Sequence, residues 1–221
     1  MRFVQPPHVR RSTPTLGDLV TDDSYINEVR KGLKESVVFF ASQDKFVRES
    51  WVVAEFLTNL SISFQSADLL RGGDPPDVVF REAKFEVKEI LDTDRRRHAE
   101  YKLALARANA ATDPAELLQG YSPKDISITE VFALVHSVAQ DFATRRYPPA
   151  VRKELDLLCY VNLQDVMGLT ELPFPDVAPL AEFGYRSVSF LDGHRSCILC
   201  AAPNAPSFLH VQPGVIHRAV I

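Results

Sequence analysis

Asp77 to Leu91 is the stretch that most restricts the fold, because polar and apolar side chains alternate along it in two short runs. A period of two is the signature of a β-strand with one face buried. Val78 and Phe80 share a face in the first run, and Phe85, Val87 and Leu91 share a face in the second. If both apolar sets enter one core, parity places Asp77, Glu86 and Lys88 together on the opposite face. Pairing about a turn at 82–83 sets Asp77 across from Lys88, with Glu86 on the diagonal. A slip of one residue would turn the carboxylates in among the aromatics. The turn Arg81-Glu82-Ala83-Lys84 has neither Asn-Gly nor glycine, so a loop longer than the tight two-residue kind is expected.

The chain has 221 residues, enough for one domain with a substantial core, and 1–221 is read as a single domain. No run approaches the ~20 apolar residues of a membrane span, and the N-terminus lacks the apolar core of a signal peptide. A cytoplasmic protein with no membrane partner is expected. Three cysteines do not make a disulfide framework. Cys197 and Cys200 form a C-x-x-C, but inside a strand-like run odd spacing sends the thiols to opposite faces, so buried free thiols are expected rather than a metal or redox site. The formal net charge of −4 argues against indiscriminate coating of nucleic acid.

In chain order, 1–20 is proline-rich and aperiodic and reads as an extended arm. Asp22-Asp23-Ser24 offers an N-cap for a helix through Tyr25, Val29, Leu33, Val37 and Phe40. Asp44 caps a second helix, Lys45 to about Leu60, with Val52, Val53, Phe56, Leu57 and Leu60 as its buried stripe and Glu55 at the margin. Ser61 to Leu70 reads as a strand leading into the hairpin. Asp92-Thr93-Asp94 opens a third helix running to about Ala110, with Arg95, Arg96, Arg97 and His98 in its first turn. Cations there oppose the helix dipole, so they need either local acidic partners (Asp92, Asp94, Glu100) or phosphates, which suit arginine forks. Asp113-Pro114 caps a short helix ending at Gly120. Ser127 and Glu130 form a capping box for a helix through Val131, Leu134, Val135, Val138 and Phe142, which ends at Arg145-Arg146-Tyr147-Pro148-Pro149; His136 reads as a polar-face residue. Leu155–Leu163 reads as a strand buried on both faces, and Tyr185–Leu191 with Ser196–Ala201 as a closing hairpin.

P-loop, dinucleotide-binding, α/β-hydrolase and zincin signatures are all missing from the sequence. Pro76-Asp77, eight further residues and then Glu86-Val87-Lys88 are similar to the PD-(D/E)xK signature of a nuclease superfamily. The order of helix, three strands, helix and strand over 45–163 resembles that superfamily's core. Trp51-Val52-Val53, Phe56-Leu57 and Phe85-Glu86-Val87-Lys88-Glu89 resemble a small uncharacterised bacterial family labelled as endonucleases. The resemblance implies an α/β fold with a restriction-endonuclease-like core over 45–163 and a C-terminal extension, 164–221, that includes a hairpin.

It also implies a metal-dependent endonuclease acting on DNA more than RNA. Asp77, Glu86 and Lys88 would be catalytic. Asp77, Glu86, the Val87 carbonyl and Glu55 would hold Mg2+ or Mn2+, and Lys88 would orient or deprotonate the attacking water. Arg95, Arg96, Arg97 and Lys102 would contact nucleic acid, and a homodimer would present two sites. Two alternatives remain open: a catalytically inactive nucleic-acid-binding or regulatory protein of the same fold, and an α/β protein in which Asp77 and Lys88 simply pair across strands.

Overall fold

A computed structural model of the protein describes residues 22–41, 45–118, 120 and 122–219. The expected arm at 1–20 and the Asp44 cap lie outside these residues. The chain forms two compact units: one from the segments up to Arg48 and Asp94–Tyr121, the other from Glu49–Thr93 and Ser122–Ile221.

The first unit pairs two helices, α1 (Asp22–Phe39) and α3 (Arg97–Ala110). Phe40 stacks on Tyr101 with ring centroids 5.0 Å apart. Arg30 donates to the Ala108 and Ala111 carbonyls at 2.8 and 2.9 Å, satisfying acceptors that the end of α3 leaves open. The third helix starts later than the sequence suggests. Asp94 takes a left-handed φ of 65°, which breaks the helix before Arg97. Asp92 does not cap it; its carboxylate accepts from the Gln164 amide at 2.7 Å. Asp113 caps a 3-10 turn at Pro114–Leu117, accepting from the Ala115 amide at 2.8 Å.

The second unit is mixed α/β. Its seven-stranded sheet runs β1-β2-β3-β5-β7-β8-β9, from β1 (Leu70–Arg71), β2 (Val78–Phe80), β3 (Ala83–Ile90), β5 (Asp156–Val161), β7 (Ser187–Asp192), β8 (Arg195–Ala201) and β9 (Ile216–Arg218). β3, β5 and β7 are parallel, and the flanking pairs are antiparallel. The closing hairpin of 185–201 therefore extends the central sheet. A second sheet pairs β4 (Lys124–Ser127) in parallel with β6 (Val166–Thr170), neither of which the sequence suggested. The expected strand at Ser61–Leu70 is reduced to β1; Asp68 accepts from the Gln65 amide at 2.7 Å and the chain makes a 3-10 turn at Ser66–Asp68 instead.

Helices lie on both faces of this sheet. α2 (Lys45–Asn59) buries Val52, Val53, Phe56 and Leu57 against one face, where Phe56 meets Phe85 edge-on at 5.9 Å and Trp51 meets Tyr160 at 5.5 Å. α4 (Ile128–Arg145) packs on the other, where Val131, Val135, Ala139 and Phe142 join Ile90, Leu157, Cys159 and Val161 in one core. Its start is the expected capping box: Ser127 Oγ accepts from the Glu130 amide at 3.2 Å, and the Glu130 carboxylate accepts from the Ser127 amide at 2.8 Å. Two short helices, α5 (Pro149–Arg152) and α6 (Ala178–Ala181), complete the six among the described residues. His136 is half-buried, between the rings of Phe132 and Phe183.

β5 is buried along its whole length, as its apolar run predicts. Its first residue, Asp156, is fully buried. The carboxylate accepts from the Lys84 amide at 2.8 Å, Arg186 Nε at 3.1 Å and Ser187 Oγ at 2.8 Å, with a further close contact to Arg186 Nη2. Arg186 also donates to the Glu82 carbonyl at 2.9 Å. Loss of one member strands a buried charge. Asp156→Ala should lower unfolding stability by about 3–5 kcal/mol, read as a fall in urea midpoint at unchanged slope.

Candidate active site

The hairpin turn is two residues long, Arg81 and Glu82, which is tighter than expected. Arg81 supplies the positive φ, 51°, that a glycine would ordinarily provide. Its guanidinium lies over the Phe80 ring at 4.7 Å and donates to the Ser63 carbonyl at 3.0 Å. The observed pairs are Val78 with Phe85, Val79 with Lys84 and Phe80 with Ala83. Parity is as the alternation predicts, but the register is two residues tighter. Just beyond the last pair, Asp77 bonds to β3 at Phe85 and Val87, the residues on either side of Glu86, where the sequence places Lys88.

The carboxylates of Asp77 and Glu86 are both buried, at 5% and 1% exposure. Asp77 Oδ2 accepts from the Val87 amide at 3.0 Å, and the Asp77 amide donates to the Phe85 carbonyl at 2.9 Å. Behind this strand Gly72 donates to the Asp77 carbonyl at 3.0 Å; a Cβ on Gly72 would sit 2.0 Å from the Pro76 carbonyl oxygen, so only glycine fits there. Glu86 Oε1 accepts from the Tyr147 hydroxyl at 2.6 Å and lies 3.7 Å from Arg146 Nη2. Lys88, two residues further along β3, is exposed, and its Nζ lies 5.5 Å from the Phe142 ring centre.

Tyr147 and Arg146 follow α4 immediately, and in the sequence they mark only the end of that helix. The signal was present: a cation and a polar aromatic closing an amphipathic helix, held by Pro148-Pro149. Burial, together with the Glu86 carboxylate it donates to, raises the Tyr147 phenol well above the ordinary tyrosine range, so it remains a proton donor.

Glu55 rises from α2, the helix packed on the Phe85 face, whereas Glu86 and Lys88 point to the α4 face. Desolvation raises its pKa, partly offset by a hydrogen bond from Trp51. Among the described residues no three His, Cys, Asp or Glu side chains gather in a metal-binding group. Glu82 is in the turn, and Glu89 accepts from Asn162 at 2.9 Å. The basic set lies in the other compact unit. Arg95 pairs with Glu100 at 3.0 Å, one of its expected acidic partners, and the Arg97 guanidinium lies 3.7 Å from the Phe40 ring centre. Arg96 and Lys102 are exposed. The three cysteines are free, and burial pushes the Cys159 and Cys197 thiols up to about 12, which leaves them unreactive at neutral pH. No helix among the described residues is long and apolar enough to cross a membrane.

A family described as "Putative endonuclease, protein of unknown function (DUF1780)" matches residues 21–219. The chain belongs to this family. A solved structure from Pseudomonas aeruginosa strain PAO1, titled a protein of unknown function of a monooxygenase superfamily, is similar at TM-score 0.60 and 26% identity, over 90% of this chain and 96% of that one. No curated protein matches.

Two outcomes follow from this geometry. Tyr147→Phe leaves the Glu86 carboxylate short of a donor in a buried setting, and should cost about 1–3 kcal/mol in chemical denaturation. Glu55 is raised in the folded state from 4.5, so its favourable contribution is complete below about pH 4.5 and is lost as pH climbs through the folded value. Glu55→Gln should therefore flatten the stability profile above that pH and raise the melting temperature at neutral pH.

Proposed function

We propose that the protein is a metal-dependent nuclease that hydrolyses phosphodiester bonds of nucleic acid, DNA in preference to RNA. The observation that carries this is the tight hairpin register, which sets the buried carboxylates of Asp77 and Glu86 side by side with Lys88 on the same face. The family description supports it. The monooxygenase superfamily is named for the solved neighbour; in this chain a carboxylate pair beside a lysine suits hydrolysis.

The donor set fits Mg2+ or Mn2+. A magnesium ion keeps several waters and takes one or two carboxylates together with substrate phosphate, so a third acid is not required. Asp77 and Glu86 would hold it, with the Val87 carbonyl as a further donor; Glu55, on the helix of the other face, is the weaker candidate. Such an ion supplies Lewis-acid stabilisation of charge on the phosphoryl oxygens. Tyr147 fixes the orientation of Glu86. Lys88 reaches solvent from the same face, where its ammonium can orient the attacking water and offset charge developing on the phosphoryl group. Within the other unit, Arg96 and Lys102, with Arg95 and Arg97 once released from their local partners, are candidates for contacting nucleic acid in their own right, and a homodimer would bring one site to each strand of a duplex.

The test is cleavage of single- and double-stranded DNA and RNA in Mg2+ or Mn2+, comparing wild type with Asp77→Ala and Lys88→Ala. Wild type should cut DNA, and each variant should lose at least about 100-fold in rate. Cleavage that persists in both variants removes Asp77 and Lys88 from the chemistry. Salt-sensitive binding without cleavage would instead identify an inactive binder of the same fold.

A further inference from the structure

We infer that Arg146 is a substrate-contacting residue of this site, with its guanidinium placed to take the phosphate oxygens of the cleaved strand. The inference deepens the phosphodiester-hydrolysis reading and rests on it. Nothing in the family description assigns a role to Arg146.

Its neighbours show how a purely structural arginine looks in this fold. Arg186 is buried and spends its nitrogens on Asp156 and the Glu82 carbonyl. Arg152 donates to the Phe183, Ala143 and Tyr147 carbonyls, closing the end of α4. Arg146 differs from both. Its side chain is 43% exposed, and its only ion pairs among the described residues are long: 3.5 Å to Asp74 and 3.7 Å to Glu86. Neither is a hydrogen bond, since charge-assisted pairs close to about 2.7–2.9 Å. The guanidinium is held instead by two rings, with its carbon 5.1 Å from the Phe142 centre and 5.0 Å from that of Tyr147.

Ring contacts fix the plane of an arginine without consuming its donors. Arg146 therefore stands beside Glu86 with a positioned planar fork and, among the described residues, no hydrogen-bond acceptor for it. The chemistry matching a pre-oriented fork is a pair of oxygens on one anionic group, and phosphate is the group a nuclease brings to this point. Phe142 also lies against Lys88, so one ring is shared by the two cations of this face. Lys88 would serve the water, and Arg146 the phosphoryl oxygens on which charge develops.

The experiment compares Arg146→Ala, Arg146→Lys and, as a control for lost surface charge, Arg145→Ala. Arg145 is 81% exposed and pairs with Asp141 on its own helix. Thermal melts establish that each variant folds; Arg146→Lys keeps the charge beside Asp74 and Glu86 and secures the test if the alanine variant does not fold. Binding of a DNA oligonucleotide is measured against salt without divalent metal, and cleavage against Mg2+ concentration. Arg146→Ala should lower the slope of log affinity on log salt by about 1 and slow cleavage by on the order of 100-fold with unchanged Mg2+ dependence. Arg146→Lys should keep the salt slope but remain at least about tenfold slow, because an ammonium cannot replace the fork. Arg145→Ala should cleave like wild type. Full wild-type rate in Arg146→Lys, or an unchanged slope in Arg146→Ala, overturns the inference. If wild type binds without cutting and the slope still falls in Arg146→Ala, the phosphate contact stands and the hydrolysis reading fails; if wild type cuts and Arg146→Ala matches it, this inference alone fails.

Discussion

Asp156 and Arg186 form a buried ion pair where β3, β5 and β7 begin, and the placement of the polar face follows from it. A buried carboxylate is tolerable only when its lone pairs are filled, and Asp156 fills them with the Lys84 amide, Arg186 and Ser187. Lys84 lies on β3, Ser187 on β7 and Arg186 immediately before it, so the contacts tie together the two strands that flank β5. Arg186 reaches back to Glu82, inside the hairpin turn. One charged pair thus locks the turn, the first residues of the central strands and their relative height. In that register Glu86 lies beside Leu157 and Lys88 beside Cys159.

The two faces of β3 answer to different demands. Phe85 is committed to Phe56 of α2. Glu86 and Lys88 face the end of α4, where an apolar helix gives way to Arg146 and Tyr147. Glu86 would be costly to bury alone; the Tyr147 hydroxyl and the nearby guanidinium offset that cost. The polar cluster is thus assembled where one helix stops, and Pro148-Pro149 keep that helix from running on over it.

Much of this was legible in the amino acids. The alternation of Val78, Phe80, Phe85 and Val87 gave the strand parity, the Ser127–Glu130 box gave the start of α4, and the unbroken apolar run gave β5. The register was off by two because Arg81 adopts a left-handed φ, which its side chain does not announce. The β4–β6 pair was missed since parallel pairing joins segments far apart in the chain and leaves no turn signal. Asp92 looked like a helix cap, but a long-range partner, the Gln164 amide, claims it. Arg146 and Tyr147 look like punctuation in the sequence because their position beside Glu86 depends on tertiary structure alone.

The polar cluster also has an order of assembly built into it. The contact that aligns Asp77 with β3 joins residues ten apart, while the one between Tyr147 and Glu86 spans 61. Closing the shorter loop costs less entropy, and the longer one needs α4 and the parallel β3–β5 pairing in place first. On these grounds the two acids meet while the hairpin is still open to solvent, before their phenol and guanidinium arrive. During that interval water and counter-ions must hold the pair's charge. Docking of the end of α4 then buries Glu86 against the Tyr147 hydroxyl and brings the Arg146 guanidinium near it.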